Sequence, residues 1–296
     1  MEFSHKPVLL EEVIKGLNLK PGMTIIDGTL GGGGHSAEIL KRIIPNGKLV
    51  GIDRDDDALA HCKKKFENSP AFTPVKANYK DIKQVCKGLQ IDQVDGILLD
   101  LGVSSFQLDN ENRGFSYMHN GRLDMRMDAQ QKLTAYDVVN TMEEKELASI
   151  IMQYGEERFA QRIASFIVKN RPIETTFELN QAIEAAIPAR FRREGPHPSK
   201  RTFQAIRIYV NDELAPLEQT IKDCVSLLKP GGRLAVISFH SLEARIVKQT
   251  MKYLELDCIC PKHAIVCTCN KVKEVKLITK KPITASQEEL SDNPRA

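Results

Sequence analysis

The sequence lacks a long apolar run. Within its 296 residues, no uninterrupted apolar stretch approaches the roughly 18 residues that a membrane-spanning helix needs. The first ten residues also lack the charged start and apolar core of an export signal. No internal repeat is evident. We therefore expect a cytoplasmic protein of one large or two modest domains, without a membrane helix.

An excess of charge of one sign is lacking as well. The 42 Lys and Arg residues are nearly balanced by 39 Asp and Glu residues, which leaves a formal net charge of +3. That charge is too small to indicate nucleic-acid binding by itself. Any surface that contacts RNA must therefore be a local concentration of basic residues.

The most informative segment that is present is a glycine-rich turn. Residues 23–26 form a short apolar run that predicts a buried strand, and residues 36–44 have helical spacing. Residues 31–34, between them, are all glycine, which allows positive φ and a close approach of the backbone to a ligand. Asp53 ends the next apolar run about 20 residues later, where nucleoside-binding α/β folds place the carboxylate that binds ribose hydroxyls. The segment therefore predicts an adenosine-containing cofactor.

The turn is a poor match to a dinucleotide loop. A Gly-x-Gly-x-x-Gly loop supports a pyrophosphate, but the closest match, starting at Gly31, has Ser36 in the third glycine position. Asp27, just before the turn, is a carboxylate that can neutralise the sulfonium and α-ammonium groups of S-adenosylmethionine, which has no phosphate. The turn therefore favours this methyl donor. There are two alternatives. One is a nicotinamide cofactor, and the other is a turn that only packs a helix on a strand.

The order of elements predicts the fold class. Strands and helices alternate up to a strand at residues 94–100, and alternation resumes at a strand over residues 233–239. Between them we find only helical patterns, at residues 143–154, 156–170 and 176–187. We predict an α/β protein with a Rossmann-like, S-adenosylmethionine-dependent methyltransferase sheet and an inserted all-helical domain. The sheet domain takes residues 1–108 and 213–296, and the insert takes residues 109–212.

Polar residues follow the predicted strands. Ligands of open α/β sheets bind beyond the carboxyl ends of the strands, which gathers Asp27, Asp53, Tyr79 and Asp100. Asp100 ends an almost wholly apolar strand, and a buried carboxylate costs several kcal/mol unless it is paired, so we favour a functional role. Tyr79 fits an adenine platform and a half-buried packing residue equally well. His240, after the last strand, is more typical of a hydrogen-bonded histidine than of a catalytic base.

A series of motifs resembles the bacterial 16S ribosomal RNA cytosine-N4 methyltransferase family. They lie in order at residues 5–10, 27–36, 100–109, 113–116, 123–127, 197–207 and 238–243. The resemblance implies S-adenosylmethionine as donor, a helical insert that recognises the substrate, and a decoding-centre cytosine of small-subunit rRNA as target. By position, it implies a donor site made of Gly33, Gly34, His35, Asp53, Tyr79, Asp100 and Gln107.

Methylation of an exocyclic amine needs the nitrogen about 3 to 3.5 Å from the methyl carbon and in line with the bond that breaks. The lone pair of a cytosine amine is delocalised, so an acceptor for its protons should help the reaction. The Pro-Pro motif that many amino-methyltransferases place after the fourth strand is absent here. The acceptor could be Asp100, an oxygen of Ser104 or Ser105, or a backbone carbonyl. We assign Asp100, with Ser104 as the weaker candidate.

One stretch of the predicted insert is locally basic. Six basic residues lie between positions 190 and 207 against one acidic residue, and the residues 195–198 in the middle interrupt any helix. We predict a basic loop that contacts RNA phosphates through Lys200, Arg201 and Arg207. The alternative is a solvated charged face.

The seven cysteines are less informative. Cys62, Cys86 and Cys224 are isolated and predict reduced core thiols. Cys258 and Cys260 form one Cys-x-Cys unit, and residues 267 and 269 form a second. The usual zinc knuckle is Cys-x2-Cys and the loop here is short, so plain thiols are favoured and no metal site is assigned. A structural metal and a labile disulfide stay open.

Two other functions also stay open from the sequence. One is a methyltransferase for another RNA base or for a small-molecule amine. The other is a non-catalytic RNA-binding assembly factor of the small ribosomal subunit that keeps the donor pocket.

Overall fold

The computed structural model describes residues 7–192, 197–261, 264 and 266–293. The chain divides into two units. The first contains Met1–Gly102 and Ala215–Ala296, and the second contains Val103–Leu214. The chain therefore leaves the first unit just after its fourth strand, a few residues before the boundary expected at residue 108.

The first unit contains a five-stranded sheet of order β3-β2-β1-β4-β5, with every neighbouring pair parallel. The strands are β1 (Thr24–Asp27), β2 (Lys48–Asp53), β3 (Phe72–Lys76), β4 (Val94–Asp100) and β5 (Leu228–Ile237). Central residues such as Ile26 and Leu98 are fully buried, since helices cover both faces. This arrangement confirms the predicted α/β class.

The helices are α1 (Leu10–Leu17), α2 (Gly34–Ile43), α3 (Asp56–Lys65), α4 (Ile82–Gly88), α5 (Ser105–Asp109), α6 (Ala135–Thr141), α7 (Glu144–Gly155), α8 (Ala160–Lys169), α9 (Thr176–Ala186), α10 (Lys200–Asn211), α11 (Leu217–Leu227), α12 (Ser241–Glu255) and α13 (Gln287–Asp292). Short 3-10 helices span Tyr79–Asp81, Glu111–Arg113 and Ala189–Phe191. Among the described residues, no helix is both long and apolar enough to cross a bilayer.

The last strand differs from the prediction. β5 begins at Leu228 and ends at Ile237, whereas the sequence pattern predicts a strand over residues 233–239. Leu228 pairs with Val94, but Arg233 pairs with Gly96, so β5 carries an irregularity that absorbs the Pro-Gly-Gly segment. Gly231, with φ of 81°, supplies the left-handed backbone there.

The second unit is helical in its described part, apart from an isolated bridge between Arg122 and Thr175. Its core consists of apolar residues at helical spacing, including Leu147 and Ile151 on α7 and Ile163 and Ile167 on α8, all fully buried. α8 begins at Ala160 rather than at the predicted residue 156. Glu156 has a left-handed backbone and ends α7, which separates the two helices.

Candidate active site

Three carboxylates of the first unit end adjacent strands. β1 lies between β2 and β4, and these strands end at Asp27, Asp53 and Asp100. The sequence predicts this cluster, because parallel strands bring their carboxyl ends to one edge of the sheet. Burial raises the pKa of all three carboxyl groups, so this edge favours a ligand that carries positive charge or hydrogen-bond donors.

Asp27 is almost fully buried and holds the glycine turn together. One oxygen accepts a hydrogen bond from the Ser36 hydroxyl at 2.7 Å, and the other accepts the Thr29 amide at 3.2 Å. Burial raises the pKa of Asp27 to about 6, although these two hydrogen bonds lower it. Its carboxylate therefore fixes the path of the chain from β1 into α2.

Two glycines of the turn are required by backbone conformation and packing. Gly33 has φ of 67° and precedes α2, and a Cβ there would lie 2.7 Å from the Cys62 sulfur. A Cβ on Gly34 would overlap the Pro7 ring. α2 therefore begins at Gly34, earlier than the predicted Ser36.

Asp53 links the end of β2 to the turn. Its oxygens accept the Gly31 amide at 2.8 Å and the Asp55 amide at 2.9 Å. Burial raises the pKa of Asp53 to about 6, and the two amide bonds oppose that rise. A carboxylate has about four lone-pair sites, so Asp53 can also accept hydrogen bonds from a diol.

Asp100 has the most perturbed carboxyl group. Its backbone amide donates to the Thr29 hydroxyl at 2.6 Å, which fixes the end of β4 against the turn. Its Oδ1 is buried and has no hydrogen-bond partner among the described residues. Burial raises the pKa of Asp100 to about 8, and the charges of Asp27 and Glu243 add to the rise. A buried oxygen without a partner is a site where a ligand donor or cation is expected.

His35 is the neighbour of Asp100. Its Nε2 lies 3.0 Å from the Val8 carbonyl, which can only accept, so Nε2 carries the ring proton. Nδ1 lies 3.5 Å from Asp100 Oδ2, and burial lowers the pKa of His35, which keeps the ring neutral. A neutral Nδ1 is itself an acceptor. A proton on Asp100 therefore makes this contact attractive, and the pair holds that proton when no ligand is bound.

Glu243 is a residue that the sequence analysis missed as part of this site. It is nearly fully buried on α12, accepts the Phe239 amide at 2.9 Å and lies 3.2 Å from His240 Nε2. His240 Nδ1 in turn accepts the Glu243 amide at 3.4 Å, so His240 caps α12. The helix-capping pattern of residues 240–243 is the signal that could have identified Glu243.

Tyr79 starts the short 3-10 helix after β3 and is half-buried. It packs against the core on one face of the sheet, and its Cβ lies 3.6 Å from the position of a Cβ on Gly28. The Tyr79 side chain therefore starts beside Gly28, the residue that follows Asp27. This placement is compatible with both roles considered from the sequence.

Ser104 and Gln107 belong to the second unit and cap α5. The Ser104 amide donates to Gln107 Oε1 at 3.0 Å, and the Gln107 amide donates to Ser104 Oγ at 3.3 Å. This reciprocal pair is a capping box. The structure therefore gives both side chains a local structural role, and the cluster of carboxylates is built without them.

The predicted basic loop is partly a helix. Lys200 and Arg201 are exposed in the first turn of α10, where Arg201 donates to the Glu156 carbonyl at 3.2 Å. Residues 193–196 of the basic stretch, and residues 5–6 of the first motif, lie outside the described residues. The helix places both cations at one end of α10 rather than along a flexible loop.

Arg207, the third residue predicted to contact RNA, has an ion-pair partner within the second unit. Its guanidinium donates to both oxygens of Glu213, at 2.9 and 3.0 Å, and Glu213 is 4% exposed. This bidentate ion pair neutralises the cation inside the second unit. A phosphate would have to compete with this buried carboxylate, so the role of Arg207 in RNA binding stays a prediction and is less favoured than that of Lys200 and Arg201.

A family model described as the MraW methylase family matches residues 2–296. The chain belongs to that family. A protein named Ribosomal RNA small subunit methyltransferase H, from Carboxydothermus hydrogenoformans, is 55% identical over 300 residues, which cover 100% of this chain and 96% of that protein. The protein of the same name from Clostridioides difficile is 50% identical over 302 residues, with coverage of 100% and 96%. These findings confirm the resemblance drawn from the motifs, and the chain is a methyltransferase.

Proposed function

We propose that this methyltransferase transfers a methyl group from S-adenosyl-L-methionine to the N4 amine of a decoding-centre cytosine in 16S rRNA. The observation that carries the proposal is the buried carboxylate cluster at the ends of β1, β2 and β4, with the unpartnered oxygen of Asp100. The names of the close relatives support the small-subunit rRNA as the substrate.

The electrostatics of the cluster favour this donor over a dinucleotide. S-adenosylmethionine carries a sulfonium and an α-ammonium group and supplies an activated methyl group when it is bound. A pyrophosphate would instead bring two negative charges towards Asp27, Asp53 and Asp100, and burial strengthens that repulsion. A nicotinamide cofactor is therefore disfavoured.

Each residue of the cluster has a distinct proposed role. Asp53 accepts hydrogen bonds from the ribose hydroxyls, and Tyr79 stacks on the adenine. Asp27 acts by holding the turn, through Ser36 and Thr29. The remaining donor-site proposals are Gly33, which precedes α2, Gly34 and His35, which begin it, and Gln107.

Asp100 is proposed to serve the methyl transfer itself. As a carboxylate it accepts a hydrogen bond from the target amine, which localises the nitrogen lone pair for attack. The amine must lose one proton after it gains the methyl group, and the raised pKa of Asp100 suits it to receive that proton. His35 Nδ1, 3.5 Å away, is a neutral acceptor that can hold the protonated form of Asp100 by a hydrogen bond. Ser104 is the alternative acceptor.

The substrate is proposed to bind the second unit through its phosphates. Lys200 and Arg201 offer two exposed cations at the start of α10. Phosphate contacts position an RNA without reading its sequence. The partner is the small ribosomal subunit or its 16S rRNA, which places the reaction in the cytoplasm.

Labelled methyl transfer tests the whole proposal. The purified chain is incubated with methyl-labelled donor and small ribosomal subunits that lack the modification, and the labelled nucleotide is mapped by mass spectrometry. The expected product is one N4-methylated cytosine in 16S rRNA. Label on another base or only on a small amine would support the other methyltransferase class. Donor binding without any transfer would support a non-catalytic assembly factor.

A further inference from the structure

The structure brings four cysteines of the C-terminal segment together. The sulfurs of Cys258, Cys260, Cys267 and Cys269 all lie within 4.8 Å of one another. Cys62, Cys86 and Cys224, in contrast, are buried separately in the first unit, as expected of core thiols. Two Cys-x-Cys pairs that were close only by chance need not place all four sulfurs this near to one another.

The distances between the sulfurs distinguish a metal site from a disulfide. Four measured sulfur separations are 3.6, 3.6, 3.8 and 3.9 Å. Sulfurs bound tetrahedrally to zinc at about 2.3 Å are about 3.8 Å apart. A disulfide needs sulfurs about 2.05 Å apart. These four distances therefore match the edges of a zinc tetrathiolate, and none of them matches a bonded pair.

Backbone amides point at the sulfurs as well. The Ile259 amide donates to Cys269 at 3.3 Å, the Cys260 amide to Cys258 at 3.4 Å, and the Thr268 amide to Cys260 at 3.4 Å. Such donors stabilise negative charge on sulfur, which four thiolates around one divalent cation require. Two of the donors cross between the Cys-x-Cys pairs, which fixes the pairs against each other.

The surrounding segment has little else to hold it. After α12, no described residue from 256 to 272 is buried. The chain returns to α12 at Glu274, whose amide donates to the Leu254 carbonyl at 2.9 Å. A short excursion without an apolar core usually needs a metal or a disulfide to be ordered.

We propose that Cys258, Cys260, Cys267 and Cys269 bind one Zn²⁺ as thiolates, and that this ion closes the excursion between α12 and Glu274. Binding releases the thiol protons, since the ligands are thiolates. A tetrahedral set of four thiolates is typical of structural zinc sites and disfavours hard cations such as magnesium and calcium. The site is structural, because four protein ligands leave no open coordination position, and it is independent of the methyl-transfer proposal.

Metal analysis of the full-length protein tests the site. The chain is purified under reducing conditions with zinc in the medium, and bound metals are measured by mass spectrometry after exhaustive dialysis. We expect about one zinc per chain. The Cys258→Ser/Cys269→Ser variant should lose it, whereas Thr268→Ser, a change between two of the ligands, should keep it. Cobalt substituted for zinc should give the visible absorption of a tetrahedral tetrathiolate site in the wild type and in Thr268→Ser only.

Three outcomes of the metal analysis would overturn the proposal. They are wild-type protein without stoichiometric zinc, stoichiometric iron in its place, or zinc retained by the double cysteine variant. A disulfide found by mass spectrometry between the two pairs in protein from reducing cells would also do so. Circular dichroism and donor binding show whether the double variant is folded in its first unit. Limited proteolysis should cut residues 256–274 faster in that variant and in chelator-treated wild type than in Thr268→Ser.

Discussion

At the scale of single residues, the role proposed for each carboxylate of the site depends on the hydrogen bonds that it already accepts. Asp27 and Asp53 accept hydrogen bonds from residues of the glycine turn and the start of α2. Asp100, in contrast, keeps one buried oxygen without a partner among the described residues. The same residue type therefore has a supporting role at one strand end and a proposed chemical role at another. Substitutions should separate these roles.

The role of Asp53 in donor binding is tested by Asp53→Ala. We expect S-adenosylmethionine affinity to fall by an order of magnitude or more, because a hydrogen bond to a charged group contributes about 1.5 to 3 kcal/mol. Isothermal titration calorimetry measures the change, and circular dichroism checks that the fold survives. Asp56→Ala removes an exposed carboxylate just beyond the end of β2 and should leave affinity unchanged. Unaltered donor affinity in folded Asp53→Ala would refute the assignment.

The role of Asp100 in the chemical step is tested by Asp100→Asn. Asparagine keeps the shape of the side chain but not its charge, so single-turnover methylation should fall far more than RNA affinity does. Rates are measured at saturating donor and RNA. Asp92→Asn, an exposed change just before the same strand, is the control. A near-normal rate would exclude Asp100 and direct attention to Ser104 and Ser105.

The proton held by Asp100 predicts a pH dependence of donor binding. The pKa of the free Asp100 carboxyl is raised to about 8, so the group is protonated at pH 7, and a cationic donor favours the ionised form. The charged neighbours are Asp27 and Glu243, and His35 is neutral. Binding should therefore release a proton, and affinity should rise with pH until the pH exceeds about 8.

Calorimetry in two buffers of different ionisation enthalpy measures that proton release. Asp100→Asn should reduce the release and flatten the rise of affinity with pH. Equal binding enthalpies in both buffers for the wild type would contradict the predicted protonation of Asp100 in the free protein.

At the scale of elements, α10 combines an exposed start with a buried ion pair. Lys200 and Arg201 are exposed, but Arg207, two turns later, is bonded to Glu213. Because of the helical period, some residues of this basic stretch face solvent and others face the core. The sequence could place the basic residues but not their directions, because the proline-containing stretch before Lys200 obscures where α10 begins.

The Arg207 ion pair should contribute to the stability of the second unit. Glu213→Ala leaves a largely buried guanidinium without its carboxylate, and breaking a buried pair from one side costs about 3 to 5 kcal/mol. We expect the free energy of unfolding to fall by about 3 kcal/mol. Chemical denaturation monitored by circular dichroism measures it. Glu218→Ala removes an exposed glutamate that is also paired, and it should change the free energy of unfolding little. An equal loss of stability in both variants would show that the buried pair contributes no more than an exposed one.

At the scale of the whole molecule, the residues proposed to bind the donor and those proposed to bind RNA lie mostly in different units. Asp27, Asp53 and Asp100 belong to the first unit, while Lys200 and Arg201 belong to the second. Substitutions in one set should therefore affect one ligand. Gln107 is the exception among the donor-site proposals, because it belongs to the second unit.

The double variant Lys200→Ala/Arg201→Ala tests this separation. RNA binding should weaken, and the log-log slope of affinity against salt should fall by about 1 for each phosphate that the protein no longer neutralises. Donor affinity should stay the same. Lys145→Ala/Lys169→Ala removes two exposed cations of the same unit as a charge-matched control. A wild-type salt slope in the first variant would move the RNA surface elsewhere, for example to Lys271, Lys273 and Lys276.

The sequence by itself determined the class of fold, the methyl-transfer family and the strand-end carboxylates. The fold class and the strand-end carboxylates follow from local information: apolar runs predict strands, and parallel strands align their ends. The family follows from the resemblance of the motifs. The helices predicted at residues 143–154 and 176–187 match α7 and α9 to within one residue at each end. α8 begins later than predicted, since the left-handed Glu156 carries no distinctive signal in the sequence. The start of α10 was predicted as a basic loop.

Only the tertiary structure decided what each candidate side chain faces. It paired Arg207 with Glu213 and Ser104 with Gln107, and it placed the buried Glu243 in the surroundings of Asp100. It also brought the sulfurs of two Cys-x-Cys pairs within 4.8 Å of one another, which their spacing did not suggest. The physical reason is that partners, burial and pKa depend on residues distant in the chain, which no local pattern records.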